Sequence, residues 1–298
     1  MTTLAQLSDL HLLEEDYQRR RGIDRARLSY LSAAVPYDPE GRYRNAVLAL
    51  RRAHVAGAEH ALLTGDLTED GLPAQYDLLK EVLNESGFAP DQVTLVPGNH
   101  DTYSDPEAWH KALSGTLRAY RRTSGAHAVT LLDEAVIMPM STVIESQTFM
   151  ISVGAIKTAD VERAAALAAD PACKNRTAIV AMHHPPLGLS NPVVNAIDGL
   201  RYSKPMRDLL NDTSELRVLH GHIHRAIDRT LQRRSHAQVI AADAIRSGSD
   251  SLRLYKADAG QLHAVSLAPT TAGQPSAADW ALPPSMASMR RPVSTAVA

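Results

Sequence analysis

The sequence predicts an α/β fold in which parallel strands alternate with helices. Two observations carry that expectation. Between residues 1 and 101, short apolar runs alternate with segments of helical period in the order strand–helix–strand–helix–strand, with short connections. The composition supports a sizeable core, with 44% hydrophobic residues but only 4% aromatics, so Leu, Val, Ile and Ala must fill it. A length of 298 residues allows one large domain or two smaller ones.

Thr3 to Leu7 is a short strand ending at Ser8-Asp9. A polar stretch from Glu14 to Arg44 follows, rich in arginine and with little periodicity apart from Leu28, Leu31 and Val35. Val47, Leu50 and Ala53 fall at helical spacing and Gly57 stops the helix. Ala61-Leu62-Leu63 is a buried-strand run that ends in Thr64-Gly65-Asp66. Pro73 starts a helix with Tyr76, Leu79 and Leu83 on one face, and Val93 to Val96 is a strand ending in Pro97-Gly98-Asn99-His100-Asp101. The middle of the chain reads as a helical stretch bearing Trp109 and Tyr120. Runs of β character follow at Val129–Leu132, Val136–Met140 and Ser141–Val153, then an Ala-rich helix at Val161–Leu167. Thr177 to Ala181 is a strand leading into Met182-His183-His184-Pro185-Pro186. A long loop with Gly and Pro precedes a helix at Met206–Leu210. Leu216 to Leu219 is a strand that ends in His220-Gly221-His222-Ile223-His224. Short strands are expected at 237–242, 251–256 and 261–267. Residues 268–298, rich in Ala, Pro, Ser and Thr, read as a poorly packed or disordered tail behind a 1–267 domain.

The charge balance, 31 Lys and Arg against 33 Asp and Glu for a net charge of -2, speaks against long nucleic acid and against a polybasic membrane anchor over the whole molecule. No run of apolar residues reaches the roughly 18 needed to cross a bilayer. Residues 1–11 lack the basic and apolar regions of a secretory signal, so the cytoplasm is the expected address. The single cysteine, Cys173, excludes an intramolecular disulfide, a cysteine zinc finger and an iron–sulfur cluster. Thirteen histidines stand beside it. A metal in this chain must be held by imidazole and carboxylate.

Five segments offer such donors, each where an apolar run stops: Asp9-x-His11, Gly65-Asp66, Gly98-Asn99-His100-Asp101, His183, and Gly221-His222-x-His224. In an open α/β sheet the ends of the strands are where ligands bind, so these loops can converge on one crevice. The i, i+2 spacing of Asp9/His11 and of His222/His224 turns both members of each pair to one side of an extended segment. With Asp66, Asn99 and His183, the two pairs supply seven N and O donors. One ion of about four to six coordination does not need so many, whereas two ions sharing a bridging carboxylate do. The donor set suits Mn²⁺, Fe²⁺/Fe³⁺ or Zn²⁺. Each piece alone reads more simply as a strand-end cap, a turn or a solvated loop. The five together, in order, do not. His54, His60, His110, His127, His236 and His263 lack such partners and keep the plain structural reading.

The same series, Asp9/His11, Gly65-Asp66 through Gly71, Gly98-Asn99-His100-Asp101, His183-His184-Pro185 and Gly221-His222-Ile223-His224, resembles the calcineurin-like metallophosphoesterase superfamily. The likeness spans about residues 3–256, and the His-His-Pro-Pro form is similar to the class III cyclic nucleotide phosphodiesterases and their glycerophosphodiesterase relatives. It implies a four-layer α/β/β/α sandwich in place of a simple doubly wound sheet. It also implies two divalent ions, from Mn, Fe and Zn, as a like or mixed pair. Asp9, His11, Asp66 and His224 would hold the first, and Asp66, Asn99, His183 and His222 the second. His100 would be the non-ligand catalytic histidine and, with Asn99, would meet the substrate phosphate. Asp101 would orient His100 or its turn. His184 is either a neighbour of the centre or outward-facing. The 14–44 stretch, longer than in compact members, is either a solvated insertion or a specificity loop.

Two divalent ions held by two carboxylates leave a surplus of about two positive charges, which attracts a phosphodiester and lowers the pKa of bound water, so that hydroxide attacks phosphorus in line. The expected activity is therefore hydrolysis of a small phosphodiester, a cyclic nucleotide or glycerophosphodiester. A nucleotide-sugar pyrophosphatase or nuclease could use the same centre, and a non-catalytic protein-binding scaffold is the third class. A homodimer is compatible with the sequence.

Overall fold

A computed structural model describes residues 1–266 apart from 33–34, 146–147, 174, 214–215 and 232–235. The strands are β1 (Thr2–Leu7), β2 (His60–Thr64), β3 (Val93–Val96), β4 (Thr130–Leu131), β5 (Ala135–Pro139), β6 (Gly154–Ala155), β7 (Thr177–Ala181), β8 (Leu200–Arg201), β9 (Leu216–His220), β10 (Ile227–Thr230), β11 (Gln238–Ala241), β12 (Arg253–Asp258) and β13 (Gln261–Val265). The helices are α1 (Gly22–Leu31), α2 (Pro39–Val55), α3 (Pro73–Glu85), α4 (Ala108–Ser114), α5 (Arg121–Ser124), α6 (Thr158–Ala169), α7 (Pro192–Asp198) and α8 (Lys204–Asp212).

Two mixed sheets stack face to face. The first has the order β13-β12-β1-β2-β3, with β1, β2 and β3 parallel and β12 antiparallel to its neighbours. The second runs β10-β11-β9-β7-β5-β4, parallel through its four central strands and closed at both edges by antiparallel partners. A period of two assigns the faces of the second sheet. Ile137, Ile179, Leu219 and Ile240 turn inward against Leu4, Leu62 and Val96 of the first sheet. The alternate residues Met138, Val180 and Val218 turn outward against Val161 and Ala164 of α6 and Met206 and Leu210 of α8. On the first sheet, Ala5, Leu7, Ala61 and Leu63 are buried too, with Leu50 and Ala53 of α2 and Leu79 and Leu83 of α3. The result is the helix–sheet–sheet–helix layering that the motifs imply rather than a single doubly wound sheet.

Local chemistry explains the helix starts. Pro39 opens α2 with its fixed φ, and the Asp38 carboxylate before it accepts the Gly41 amide at 2.9 Å. Pro73 opens α3, where the Gln75 side chain accepts the amides of Asp70 and Gly71, each at 3.1 Å.

Three stretches depart from the sequence expectation. Ser141–Val153 holds no long strand among its described residues. Thr142 is instead tied to His184, and the regular structure is a bridge of Thr148 to Ile151 and the short β6 beyond. The loop before Met206 contains α7, whose start is capped by the Asn191 side chain on the amides of Val193 and Val194. The 14–44 stretch, read as aperiodic, forms α1 and the start of α2. The tail expected at 268–298 lies outside the described residues.

Ion pairs, not an apolar stripe, dock α1. The buried Arg20 guanidinium bridges Glu14 (2.5 and 2.8 Å) and Asp70 (2.9 and 3.0 Å). Arg27 donates to the same Asp70 at 2.7 Å and to Asp24 at 2.7 Å, while Arg42 donates to Glu69 at 2.8 Å and to the His11 carbonyl at 2.9 Å. Arg27 and Leu28 are the buried residues of α1. Removing one partner of a buried network leaves an uncompensated charge. Asp70→Ala, which takes one carboxylate from both Arg20 and Arg27 but leaves them Glu14 and Asp24, should therefore cost about 1.5–3 kcal/mol in urea unfolding. Asp24→Ala, at a side chain 46% exposed, should cost under about 1 kcal/mol.

Candidate metal centre

The site forms where the ends of β1, β2, β3, β7 and β9 meet. Beyond β1 and β2 the chain continues side by side: the Asp9 amide donates to the Gly65 carbonyl at 3.0 Å, His11 to Asp66 at 2.9 Å, and Leu12 to Leu67 at 3.1 Å. Within these turns Asp9 (φ 56°), His11 (49°), Asp66 (49°), His222 (73°) and His224 (46°) all adopt left-handed backbone. Residues with a Cβ avoid that region at a cost on the order of 1–3 kcal/mol each, and such strain clusters at functional sites. Gly65, at φ 95°, needs the same freedom, and a Cβ there would strike the His183 ring. At Gly98 a Cβ would strike the Asp66 carboxylate.

Asp9, His11, Asp66 and His224 converge as one potential ligand group, and Asp66, His183 and His222 as a second that shares Asp66. Asp66 Oδ2 lies 3.2 Å from His183 Nε2 and 3.9 Å from the Nε2 atoms of both His11 and His100, while Oδ1 accepts the His100 amide at 2.9 Å. His11 Nε2 faces His224 Nε2 at 3.5 Å, and His222 Nδ1 faces His183 Nε2 at 3.2 Å. Asn99 is placed by Tyr103, whose hydroxyl accepts its amide NH₂ at 2.6 Å. That leaves Asn99 Oδ1 buried and without a hydrogen bond among the described residues, while Asp9 Oδ1 has His224 Nε2 at 3.1 Å.

The outer ring nitrogens fix which inner ones are free. His183 Nδ1 donates to the Thr64 carbonyl at 2.8 Å, His222 Nε2 to the Asp198 carbonyl at 2.8 Å, and His100 Nδ1 to the Glu69 carbonyl at 2.6 Å. His11 Nδ1 has the Glu69 carboxylate 3.2 Å away. For His183, His222 and His100 the acceptor keeps a proton on the outer nitrogen and turns the inner nitrogen toward the centre. Imidazole nitrogens crowded onto two buried carboxylates, with an unpaired amide oxygen beside them, are a donor set that a cation satisfies in place of protons. The residues present therefore fit two metal ions about Asp66.

Electrostatics agree. Burial raises the Asp66 carboxyl, but His183 and His100 outweigh it and hold it well below its ordinary value. Burial likewise raises Asp9, and the facing His224 and His183 bring it below. Burial lowers His183, yet the Asp66 carboxylate carries it up to about 9. Burial, then the charges of Arg246 and His100, push His11 well down, which favours the neutral ring.

The sequence model of the Calcineurin-like phosphoesterase family matches residues 2–226. The chain belongs to that family. It is a metal-dependent phosphoester hydrolase, of a family that uses a dinuclear centre. Among its relatives is a 3′,5′-cyclic-nucleotide phosphodiesterase of Nostoc sp., 26% identical over 232 residues that cover 76% of this chain and 73% of that one. The 3′,5′-cyclic adenosine monophosphate phosphodiesterase CpdA of Pseudomonas aeruginosa is 28% identical over 228 residues, covering 76% and 71%. A dimetal phosphatase from Danio rerio shares the fold at a TM-score of 0.56 and 15% identity, over 85% of this chain and 92% of that one. TT1561 of Thermus thermophilus does so at 0.53 and 12%, over 89% and 98%. No helix among the described residues is long and apolar enough to cross a membrane.

In this phosphoesterase six of the seven expected donors fall in the two groups, His100 lies 3.9 Å from Asp66, and Asn99 precedes it in the same turn. Asp101 serves the turn rather than the His100 ring. Its Oδ1 accepts the amide and hydroxyl of Thr68 (2.8 and 2.7 Å), and its Oδ2 the amides of Gly98 and Leu67 (2.8 and 3.2 Å). His184 is buried, paired through Nδ1 with Thr142 at 2.7 Å and through Nε2 with the Ser152 carbonyl at 2.9 Å. Burial and its histidine neighbours push it well down, so it acts as a neutral clasp. His60 lies in the core against Thr94.

Four residues escaped sequence reasoning. Glu69 and Arg42 hold His11 and His100 from behind, and the only signal was an acidic residue three positions after Asp66. Asp198 reaches His222 from α7 through both its carbonyl and its carboxylate (3.2 Å to Oδ1), and Arg246 reaches His224 from beyond β11. Neither carries a local motif.

Asp66→Ala should remove the carboxylate common to both groups, and metal analysis of the purified variant should find neither ion. Gly65→Ala should lose metal as well, because the His183 ring must give way. Its melting temperature should fall, whereas Gly248→Ala, where a Cβ meets nothing within 4 Å, should keep metal.

Proposed function

We propose that this chain hydrolyses a small phosphodiester of the cyclic-nucleotide class. The observation that supports the reaction is the pair of donor groups sharing Asp66, with the inner imidazole nitrogens turned onto the carboxylates and Asn99 Oδ1 without a hydrogen bond among the described residues. The substrate class rests on the two cyclic-nucleotide phosphodiesterases that align with three quarters of the chain. Asp9, His11, Asp66 and His224 would hold one divalent ion, and Asp66, Asn99, His183 and His222 the other. Two such ions, drawn from Mn, Fe and Zn, supply the positive charge and Lewis acidity that phosphodiester cleavage needs.

The chain's own groups do the rest. His100 stands at the mouth, its side chain 14% exposed and its Nδ1 proton committed to the Glu69 carbonyl. Its Nε2 is therefore the atom that can pass a proton to the leaving oxygen. Its ring meets that of His11 at right angles, 4.5 Å between centroids, and lies 4.8 Å from the Tyr103 ring, which limits its rotation. Asp101 keeps the Gly98 and Leu67 turns in register.

A panel of cyclic nucleotides, glycerophosphodiesters and nucleotide sugars, assayed with Mn²⁺, tests the reading. Cyclic nucleotides should be cleaved and the chelator-treated protein should be inactive. His100→Ala should keep both metals and lose about 100-fold or more in kcat, the usual weight of a general acid. Cleavage of nucleotide sugars alone, or full activity without metal, would overturn it.

A further inference from the structure

The histidine partners show one exception. The outer nitrogens of His11, His100, His183 and His222 face an acceptor. That of His224 faces a donor: Arg246 Nη2 lies 3.1 Å from His224 Nδ1. An ion on His224 Nε2 requires the imidazole proton on Nδ1, and two donors then oppose each other. The guanidinium loses its acceptor as soon as the ring takes up its ligand tautomer.

No other group is placed to receive it. Among the described residues, no carboxylate lies within 4.0 Å of Arg246, whereas Arg20, Arg27 and Arg42 each have one. Glu69 is near enough to act on Arg246 electrostatically but is already engaged by Arg42 and His11. Arg246 is also half-buried, where Glu69, Asp9 and Asp66 act on its charge from a distance but none makes a direct ion pair with it.

Its position is fixed rather than incidental. The turn after β11 is bolted to the end of β1: the Ile245 amide donates to the Ser8 carbonyl at 3.0 Å and the Arg246 amide to the Asp9 carbonyl at 3.1 Å. Asn45 of α2 donates to the Arg246 carbonyl at 3.2 Å. The residue that carries the Asp9 carboxylate thus also anchors the arginine. A guanidinium offers two parallel N–H groups, and a phosphodiester offers two non-bridging oxygens.

We propose that Arg246 is a substrate-contacting residue that receives a non-bridging oxygen of the phosphoryl group once His224 holds its ion. Arg246 lies beyond the residues that the family model matches. The assignment rests on the phosphodiesterase reading and names the side chain that would set its affinity for anions.

The test uses Mn²⁺-loaded full-length protein, with inorganic phosphate as the probe in titration calorimetry and a cyclic nucleotide as substrate. Arg246→Gln should weaken phosphate binding and raise KM about tenfold or more, the weight of a charge-assisted hydrogen bond. Mn²⁺ affinity should stay as in wild type or tighten, since a neighbouring cation is gone. Arg246→Lys, which keeps the charge but not the fork, should recover part of the loss. A fall in Mn²⁺ affinity that Lys does not restore would overturn the assignment and make Arg246 a support of the centre. So would phosphate affinity and KM within twofold of wild type in both variants. If wild type binds phosphate through Arg246 but cleaves no diester, the functional reading fails while the anion contact stands.

Discussion

One carboxylate joins the two halves of the molecule. Asp66 sits at the end of β2 in the first sheet. Its Oδ2 reaches His183 at the end of β7 in the second, and its Oδ1 takes the His100 amide beyond β3. The sandwich is held at large by apolar contact between sheets, which is non-directional and sets no atomic registry. The polar seam at the strand ends supplies the registry. His183 fits only because residue 65 has no side chain, and Gly98 clears the other flank of Asp66. Packing brings the strand ends together; Asp66 and the glycines around it decide how closely.

That closeness has a backbone cost. Five of the seven proposed ligand residues are left-handed, each at a cost on the order of 1–3 kcal/mol. No local preference favours such a series, so the surrounding fold must over-determine it. The ladder between 9–12 and 65–69 does part of this, the four donors on Asp101 do more, and the buried network of Glu14, Arg20, Arg27, Arg42, Glu69 and Asp70 lies behind His11. In the proposed centre two ions would offset the rest, because they satisfy the crowded nitrogens and carboxylates and the Asn99 oxygen together.

The seven donors were legible in the sequence because their chemistry is local, Asp, Asn, His and Gly at the ends of apolar runs, but the extended segments expected at Asp9/His11 and His222/His224 are left-handed turns beyond β1 and β9. The parallel β1-β2-β3 unit was legible for the same reason. The second sheet and the face-to-face stacking came from the motif resemblance, since periodicity in one strand does not say which sheet it joins. The helices of the 14–44 stretch were hidden because Arg20, Arg27 and Arg42 look like solvated residues until Asp70 and Glu69, far along the chain, are placed beside them. The 141–153 segment looked like a strand because its composition is β-like, but Thr142 is drawn to His184. Asp198 and Arg246 act only through contacts the fold makes.

Anomalous diffraction from crystals grown with Mn²⁺ tests the central claim most directly. Two peaks should flank Asp66, about 3.5–4 Å apart as in two-metal sites. One should lie against Asp9, His11 and His224, the other against Asn99, His183 and His222. A single peak, or density held by Glu69 and His100 in place of Asp66, would contradict the account.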